Sequence, residues 1–532
     1  MISISIKSSR KLKNMIMLFL ITFNLLILTV NNPVTAITEH ITLEAILEYN
    51  DVNRRFDGYN LFVVEERNSL DWSNRNRTLL VTDMDGNIFF ERLLGTTSVF
   101  VDYVAEFIDS RTIMYGEDNG IHLWNLDTDK TNTLDIEGHH DYEKNHIRDT
   151  YFSVFGYLGV IDNVSYIFDF IKETDIYGNT IWNIGTDKIL TIDQWCPYED
   201  MINEARDISH VNTLFYDEED DSLYINVRNV NTFYKIDIET NDIVWALGKY
   251  GNFTLYDIDG QQRDSLFYHA HALEKINNNT FVLFDNDFHN ETKATNHQSR
   301  LLEITIDEDK MQANVTWEWK ASEQYYSEIW GDCNVLPNNN RLGVFGTHEH
   351  LNTDLGARLV EVDYKGDIVW EMSFPRQNES TIGVYEIQRL HFEPIVSEPV
   401  FIDKGEGNGY LEWEVRYNFN SNTEFEGKYH ISVDGEDVVS DQIVFPRYWQ
   451  SKKITYSTDL ASLESHNIQL VVEDEAGHMS NSSNNFSPIN KISLNRNTDN
   501  LSLSFGFSLV SITLIAITSS ITRMRKREEK FL

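Results

Sequence analysis

LFYHAHALEKINNNTFVLFDNDFHNETKATNHQSRLLEI, residues 266–304, decides how this chain is read. Phe281–Phe284 is a short apolar run, and Leu301–Ile304 begins another after a polar loop that opens at Asp285 and closes at Ser299 and Arg300. Short runs of β-branched and aromatic residues between Asn and Asp clusters read as strands joined into antiparallel hairpins. His269 and His271 precede the first strand, and Arg300 opens the second. The reading therefore sets His271 and Arg300 at two strand mouths that can converge. An imidazole beside a forked guanidinium suits an anionic tetrahedral group, because Arg offers parallel donors and His can donate a proton or attack.

Outward from this hairpin a unit recurs. Asp85–Phe90, Tyr177–Trp182, Thr240–Trp245, Gln312–Trp317 and Lys365–Trp370 each carry a turn followed by an apolar strand ending in an aromatic residue, and Asn119–Trp124 is a looser copy. A strand ending in Asp stands before several of them, as in Tyr234–Asp237 and Leu359–Asp363. A repeated two-strand unit predicts the blades of an all-β, six-bladed β-propeller over residues 37–391. Helical patterning is sparse, with Pro197–Arg206 the best short candidate. After Phe392 the repeat stops. Leu411–Tyr417, Lys428–Val433 and His466–Val472 alternate polar and apolar residues, which predicts an Ig- or fibronectin-like β-sandwich over 392–488. An Asn- and Ser-rich stalk follows at 489–500.

The ends point to one topology. Arg10, Lys11 and Lys13, the apolar run Met15–Val30 and Val34-Thr35-Ala36 read as a signal peptide over 1–36. Residues 501–522 are apolar and uncharged, long enough for a transmembrane helix, and Arg523–Arg527 leads a short cytoplasmic tail, 523–532. The body is then expected outside a cell membrane, as a single-pass protein. Sequons at Asn76, Asn163, Asn252, Asn290, Asn314 and Asn378 agree with a glycoprotein exposed there. The net charge of −40 argues against nucleic acid as a partner, since a phosphate backbone calls for a basic surface. Two cysteines, Cys196 and Cys333, support neither a disulfide framework nor a cysteine zinc site, though they could form one bridge. Asp285-Asn286-Asp287 reads as a turn cluster rather than a calcium loop, so neither a metal nor a cofactor is expected.

His210 precedes Asp221–Arg228, and His348 and His350 follow Arg341–Phe345, so histidines recur at the same phase in successive units. The segments SHVNTLFYDEEDDSLYINVR (209–228), HALEKINNNTFVLFDND (271–287), SRLLEITID (299–307) and VLPNNNRLGVFGTHEHLNTDLGARLVEVDYKGDIVWE (335–371) resemble the arylsulfotransferase family, the PAPS-independent aryl-sulfate sulfotransferases, which are six-bladed propellers. The resemblance covers roughly residues 205–375 and matches the family's site residues to His210, His271, Arg300 and His350. Ala270 stands where the family usually has Gln before its second histidine, and the sandwich lies at the C-terminus rather than the N-terminus. What the resemblance implies is sulfuryl transfer from an aryl sulfate donor to a phenolic acceptor through a sulfated histidine, His350, with His348 two residues away as the other register. His210 and Arg300 would hold sulfate oxygens, and His271 an oxygen or the phenolic proton. His348, His269 and Trp330 are further candidates for contact with substrate. The alternative is a non-catalytic propeller that binds or adheres at the cell surface, with membrane attachment through the C-terminal helix in both cases.

Overall fold

The computed structural model describes residues 45–68, 71–97, 104–117, 120–198, 201–202, 204–293, 297–347, 355–375, 380–484 and 491–493. The chain is all-β; its one described α-helix, Leu460–Ser465, is capped by Asp459, whose carboxylate accepts from the Ser462 N–H at 2.7 Å. The hairpin read first is present. Thr280–Asp285 pairs antiparallel with Arg300–Asp307, Leu283 opposite Leu302 and Asp285 opposite Arg300.

Six antiparallel sheets follow one another along the chain. Their inner strands are Ala105–Asp109 in the second sheet, Tyr142–Asn145 in the third, Val211–Asp217 in the fourth, His271–Asn277 in the fifth and Asp332–Val335 in the sixth. The first sheet is built from both ends of the body: Tyr59–Asn68 pairs with Asp71–Asp83 on one side and with Ser380–Val384 and Gln388–Leu390 on the other. The sixth is closed at its outer edge by Ile46–Asn50 against Ile368–Pro375.

Apolar side chains explain why the sheets stack. Each sheet shares a buried cluster with the next: Met114 with Tyr151, Ile171 with Ile225, Phe233 with Leu283, Phe284 with Val360, Met372 with Phe62, and Leu79 with Phe107. The last two pairs return the series to its start. Outer turns follow a common rule. A strand-final aspartate accepts backbone N–H bonds from the turn, as Asp83 does from Asp85 and Asn87, Asp175 from Tyr177 and Asn179, and Asp363 from Lys365 and Asp367. Gly86, Gly178 and Gly366 supply the positive φ these turns need, at 85°, 85° and 92°.

The repeat read from sequence marks the last strand of the first and fourth sheets, the strand Thr180–Gly185 of the third, Gln312–Lys320 of the fifth and Ile368–Pro375 of the sixth. The looser copy at 119–124 is out of phase: Gly120–Asn125 is the third strand of its sheet, with Lys130–Leu134 outside it. The described residues of Pro197–Arg206 form no helix. Met201–Ile202 and Ala205–Asp207 pair with each other, and the second joins the third sheet in parallel with Val164–Asp175. Cys196 and Cys333 are not joined in a disulfide.

Two further sheets follow. One holds Ile395–Val396, Val400–Gly405, Asn408–Arg416 and Lys452–Asp459; the other holds Phe425–Val433, Glu436–Phe445, Ile468–Glu473 and Met479–Ser483. Their apolar faces meet on Trp413, Val415, Ile431, Phe445 and Leu470, and the same cluster continues into the first two sheets of the body. The module is therefore packed on the body rather than tethered to it. Its loop at 418–424 reaches the ends of the inner strands: Thr423 bonds Glu218 at 2.6 Å, Asn420 bonds Glu274, and Asn422 bonds Glu143 and, at 3.2 Å, the Tyr216 carbonyl. The expected signal peptide, most of the stalk, the transmembrane helix and the tail lie outside the described residues. Among those described, no helix is long and apolar enough to cross a membrane.

Candidate active site

The starts of the inner strands carry a shared backbone device. His140, His210, His269 and Trp330 adopt left-handed φ values of 65°, 54°, 53° and 63°, one or two residues before their strands. Non-glycine residues enter that region at a cost, and its recurrence in four successive sheets turns the same chain position toward one place. His140 and His210 have ring centroids 4.7 Å apart, and His139 and His140 are 4.8 Å apart. Tyr385, which follows Ser380–Val384, lies 5.7 Å from His271, 6.3 Å from His140 and 6.0 Å from Trp330. Its hydroxyl donates to the Asn212 carbonyl at 3.0 Å.

The hydrogen bonds fix tautomers. His271 Nδ1 lies 2.7 Å from the Asn286 side-chain oxygen. That amide is oriented by its nitrogen, which donates to the carbonyls of Ser327 at 3.0 Å and Trp330 at 2.8 Å. His271 therefore carries its proton on Nδ1 and its lone pair on Nε2. His210 Nδ1 lies 2.6 Å from Asp207 Oδ2, which sets the same tautomer. His139 Nε2 faces Asp169 at 3.4 Å, and its Nδ1 meets His140 Nδ1 at 2.7 Å. Asp169 is buried, yet its carboxyl sits below the usual range: desolvation pushes it up, and the bonds from His139, the Val211 N–H and Ser209 outweigh that.

Arg228, on the turn after Ser222–Val227, is buried and bonds the Asn229 side chain at 2.8 Å. Its charge bears on His140, His269 and His271. Burial first, then Arg228 and the neighbouring imidazoles, hold these three well below the ordinary histidine value, so they are neutral near pH 7. His210 keeps a quarter of its side chain exposed, 25%. The set thus includes three neutral imidazoles beside one guanidinium.

Of the residues read from sequence, His210 and His271 fall in this cluster. His269, fully buried, adjoins it through the same Arg228. Trp330 lines it as a packed side chain: its ring fills the space that a Cβ on Gly383 would occupy, and its own Cβ crowds Gly346. Arg300 is elsewhere. Its guanidinium is held by Asp285, by Glu318 at 2.9 Å and by the Leu266 carbonyl at 2.8 Å, and the recess it lines, with Asp257, Tyr268 and Lys293, contains none of the clustered histidines. The physical reason is register: Asp285 stands directly opposite and captures it. Because Asp285 also accepts from the Tyr268 N–H at 2.8 Å, Arg300 braces the loop that presents His269 and His271. His348 and His350 lie outside the described residues. Sequence reasoning missed His139, His140, Arg228 and Tyr385. The His139-His140-Asp141 run stands just before an inner strand, as His210 does, and that phase was the available signal.

Below the rings lies a second layer. Asp141 follows His140, Asp332 follows Trp330 by two, Glu386 follows Tyr385, and Glu274 follows His271 by three. With Glu106 and Glu143 they line a cavity of about 160 Å³ enclosed by the inner strands and the loop at 418–424. Desolvation pushes Glu274 up to about 8 and Asp332 up to about 6, with Asp332 adding to the rise at Glu274. Glu106, Asp141, Glu143 and Glu386 are raised as well, by burial and then by neighbouring carboxylates, Asp141 for Glu106 and Glu386, Glu106 and Asp141 for Glu143, and Asp332 for Asp141. Several of these carboxyls also tie neighbouring sheets together: Asp141 accepts from the Leu214 N–H at 2.6 Å, Asp332 from the Ile387 N–H at 3.0 Å and Glu386 from the Ala105 N–H at 3.1 Å.

Comparison with known proteins adds a family. The model described as Arylsulfotransferase (ASST) matches residues 53–386. No curated protein matches the chain. Among solved structures it is similar to a protein of unknown function from Bacteroides caccae (8% identity, TM-score 0.35, 62% of this chain and 98% of that one). It is also similar to the periplasmic gluconolactonase of Pseudomonas aeruginosa (10% identity, TM-score 0.32, 61% and 99%). Likenesses this distant carry no argument about activity.

Proposed function

The chain belongs to the arylsulfotransferase family, and from that premise we propose that it moves a sulfuryl group from a phenolic sulfate ester to a phenol through a sulfated histidine. The observation that carries the proposal is the meeting of His139, His140, His210 and His271 with Arg228 at one end of the inner strands. In the first half-reaction an imidazole lone pair attacks sulfur, the S–O(aryl) bond breaks, and the phenolate leaves with that electron pair. In the second, an acceptor phenol oxygen attacks the sulfur of the N-sulfated histidine, the N–S bond breaks with its electron pair returning to the ring nitrogen, and the phenolic proton passes to a neighbouring imidazole. Charge on the peripheral sulfuryl oxygens needs fixed donors; Arg228 supplies them here, in place of the Arg300 expected from sequence. His350, or His348 in the other register, is the proposed nucleophile. His210 and His271, each with Nδ1 engaged, present an Nε2 lone pair that can take the phenolic proton.

The six sheets are read as six blades of a β-propeller, supported by the buried cluster between each sheet and the next and by the return of Ser380–Leu390 to the first. The body is proposed to sit outside the cell membrane, anchored by residues 501–522 and preceded by a cleaved signal at 1–36; protease protection of the tail in sealed cells tests this. The activity is tested with 4-nitrophenyl sulfate. Phenolate release that rises with added phenol and disappears in His350→Ala supports the transferase. Loss only in His348→Ala moves the nucleophile by two residues. Release that is insensitive to phenol identifies a hydrolase, and no release from a folded protein leaves a binding propeller.

A further inference from the structure

Beside the imidazole cluster lies a second set of donors that sulfuryl transfer does not use. Cys196 comes from the loop after the third sheet's last long strand, His269 from the loop before His271–Asn277, and His289 from the loop after Thr280–Asp285. One donor atom from each falls within 4.8 Å of the others. Cys196 Sγ and His289 Nδ1 are 3.6 Å apart, and the rings of His269 and His289 are 4.8 Å apart, nearly perpendicular at 84°.

We propose that Cys196, His269 and His289 form a site for a transition-metal ion of the zinc class. The distances fit the ion. A Zn–S bond of about 2.3 Å and a Zn–N bond of about 2.0 Å, opened to a tetrahedral angle, put sulfur and nitrogen about 3.5 Å apart, against the 3.6 Å found. The donor set fits as well: one thiolate and two imidazoles are soft to borderline ligands, which favour zinc, cobalt or copper over calcium or magnesium. Three loops from two different sheets converge here, so the site links the third sheet to the fifth. Three protein donors leave a fourth tetrahedral position for water or an anionic oxygen, as in metal sites that bind substrate. A metal held here would also fix the loop containing His269, and with it the start of the strand that carries His271.

The test uses the full chain, treated with a chelator and then titrated with Co²⁺, and is independent of sulfuryl transfer. One equivalent of Co²⁺ is expected to give intense visible bands of a tetrahedral site together with a near-ultraviolet thiolate-to-cobalt band, and Zn²⁺ is expected to displace it. Cys196→Ser should remove the near-ultraviolet band. His289→Ala should weaken binding beyond the roughly 10–100-fold that loss of an outer-shell partner costs. Circular dichroism of the metal-free variants shows whether each has folded; a variant that has not is replaced by Cys196→Ala or His289→Gln. Absence of any tetrahedral spectrum in the wild-type protein, or a spectrum unchanged by both substitutions, overturns the proposal and leaves a thiol–imidazole hydrogen bond.

Discussion

The start of the inner strands and the cavity a few residues further along them differ in chemistry although the same strands build both. The first layer is made of rings: His140, His210, His271, Tyr385 and Trp330, with Arg228 beside them. The second is made of carboxyls: Glu106, Asp141, Glu274, Asp332 and Glu386. Burial acts on both, in opposite senses. It drives imidazoles and carboxyls alike toward their neutral forms, lowering the first and raising the second. Neutral imidazoles keep lone pairs for chemistry, while carboxyls raised by burial bond neighbouring strands and hold less charge than they would in water. The difference teaches that one strand can serve reaction at its start and cohesion further on.

The sharpest way to break this division is Arg228→Ala. It should lower kcat/KM for sulfuryl transfer by about 10²–10³-fold while the thermal unfolding midpoint stays close to that of the parent; an equal loss of stability would place Arg228 with the structural layer. Asp207→Asn tests the ring layer through a positioning residue. Loss of the Asp207 carboxylate beside His210 Nδ1 should reduce kcat by about 10–100-fold with little change in KM, and Asp207→Glu should recover part of it.

Glu274→Gln tests the carboxyl layer, and the sign follows from its raised value. Below about pH 4.5 the folded and unfolded chains both hold this proton. Between there and about 8 only the folded chain does, so its contribution to stability is complete at low pH and is lost as pH rises toward 8. The variant should therefore gain stability over the parent at pH 8 and lose that advantage at pH 4.5, measured by urea unfolding at both values, with turnover unchanged. Asp332 predicts the same trend in a narrower window that closes near 6. The smallest effect is expected at the rim, where Arg447 bonds Asp217 at 3.2 Å and Glu219 at 2.8 Å. Arg447→Ala should cost less than about 1 kcal/mol and leave the rate alone.

Particular residues show what the sequence made legible. Strand type and turn chemistry were local, so the hairpin at 280–307 and the Asp-capped outer turns could be read directly. The phase of His210 and His271 came from the same periodicity. Which arginine joins them did not, because that depends on what stands opposite: Arg300 faces Asp285 across the ladder and is captured, whereas Arg228 sits on a turn beyond its strand. Cys196 and His289 are 93 positions apart and meet only because the third sheet's trailing loop folds across to the fifth. The carboxyl layer was equally hidden. Single acids spaced tens of residues apart carry no pattern until the fold brings their strands together.

The ladder that completes the first sheet has a consequence for how the protein is made. Tyr59–Asn68 finds its inner neighbours only in Ser380–Val384 and Gln388–Leu390. During synthesis that edge stays open until nearly the whole body has left the ribosome, a long interval in which another chain can pair with it. The module packed behind the body arrives last, and the cluster it shares with Leu61 and Leu79 then covers the seam. A chain ending before residue 380 would keep every clustered histidine as far as His289 and still lack its clasp; its characteristic failure would be association between nascent chains rather than a slow enzyme.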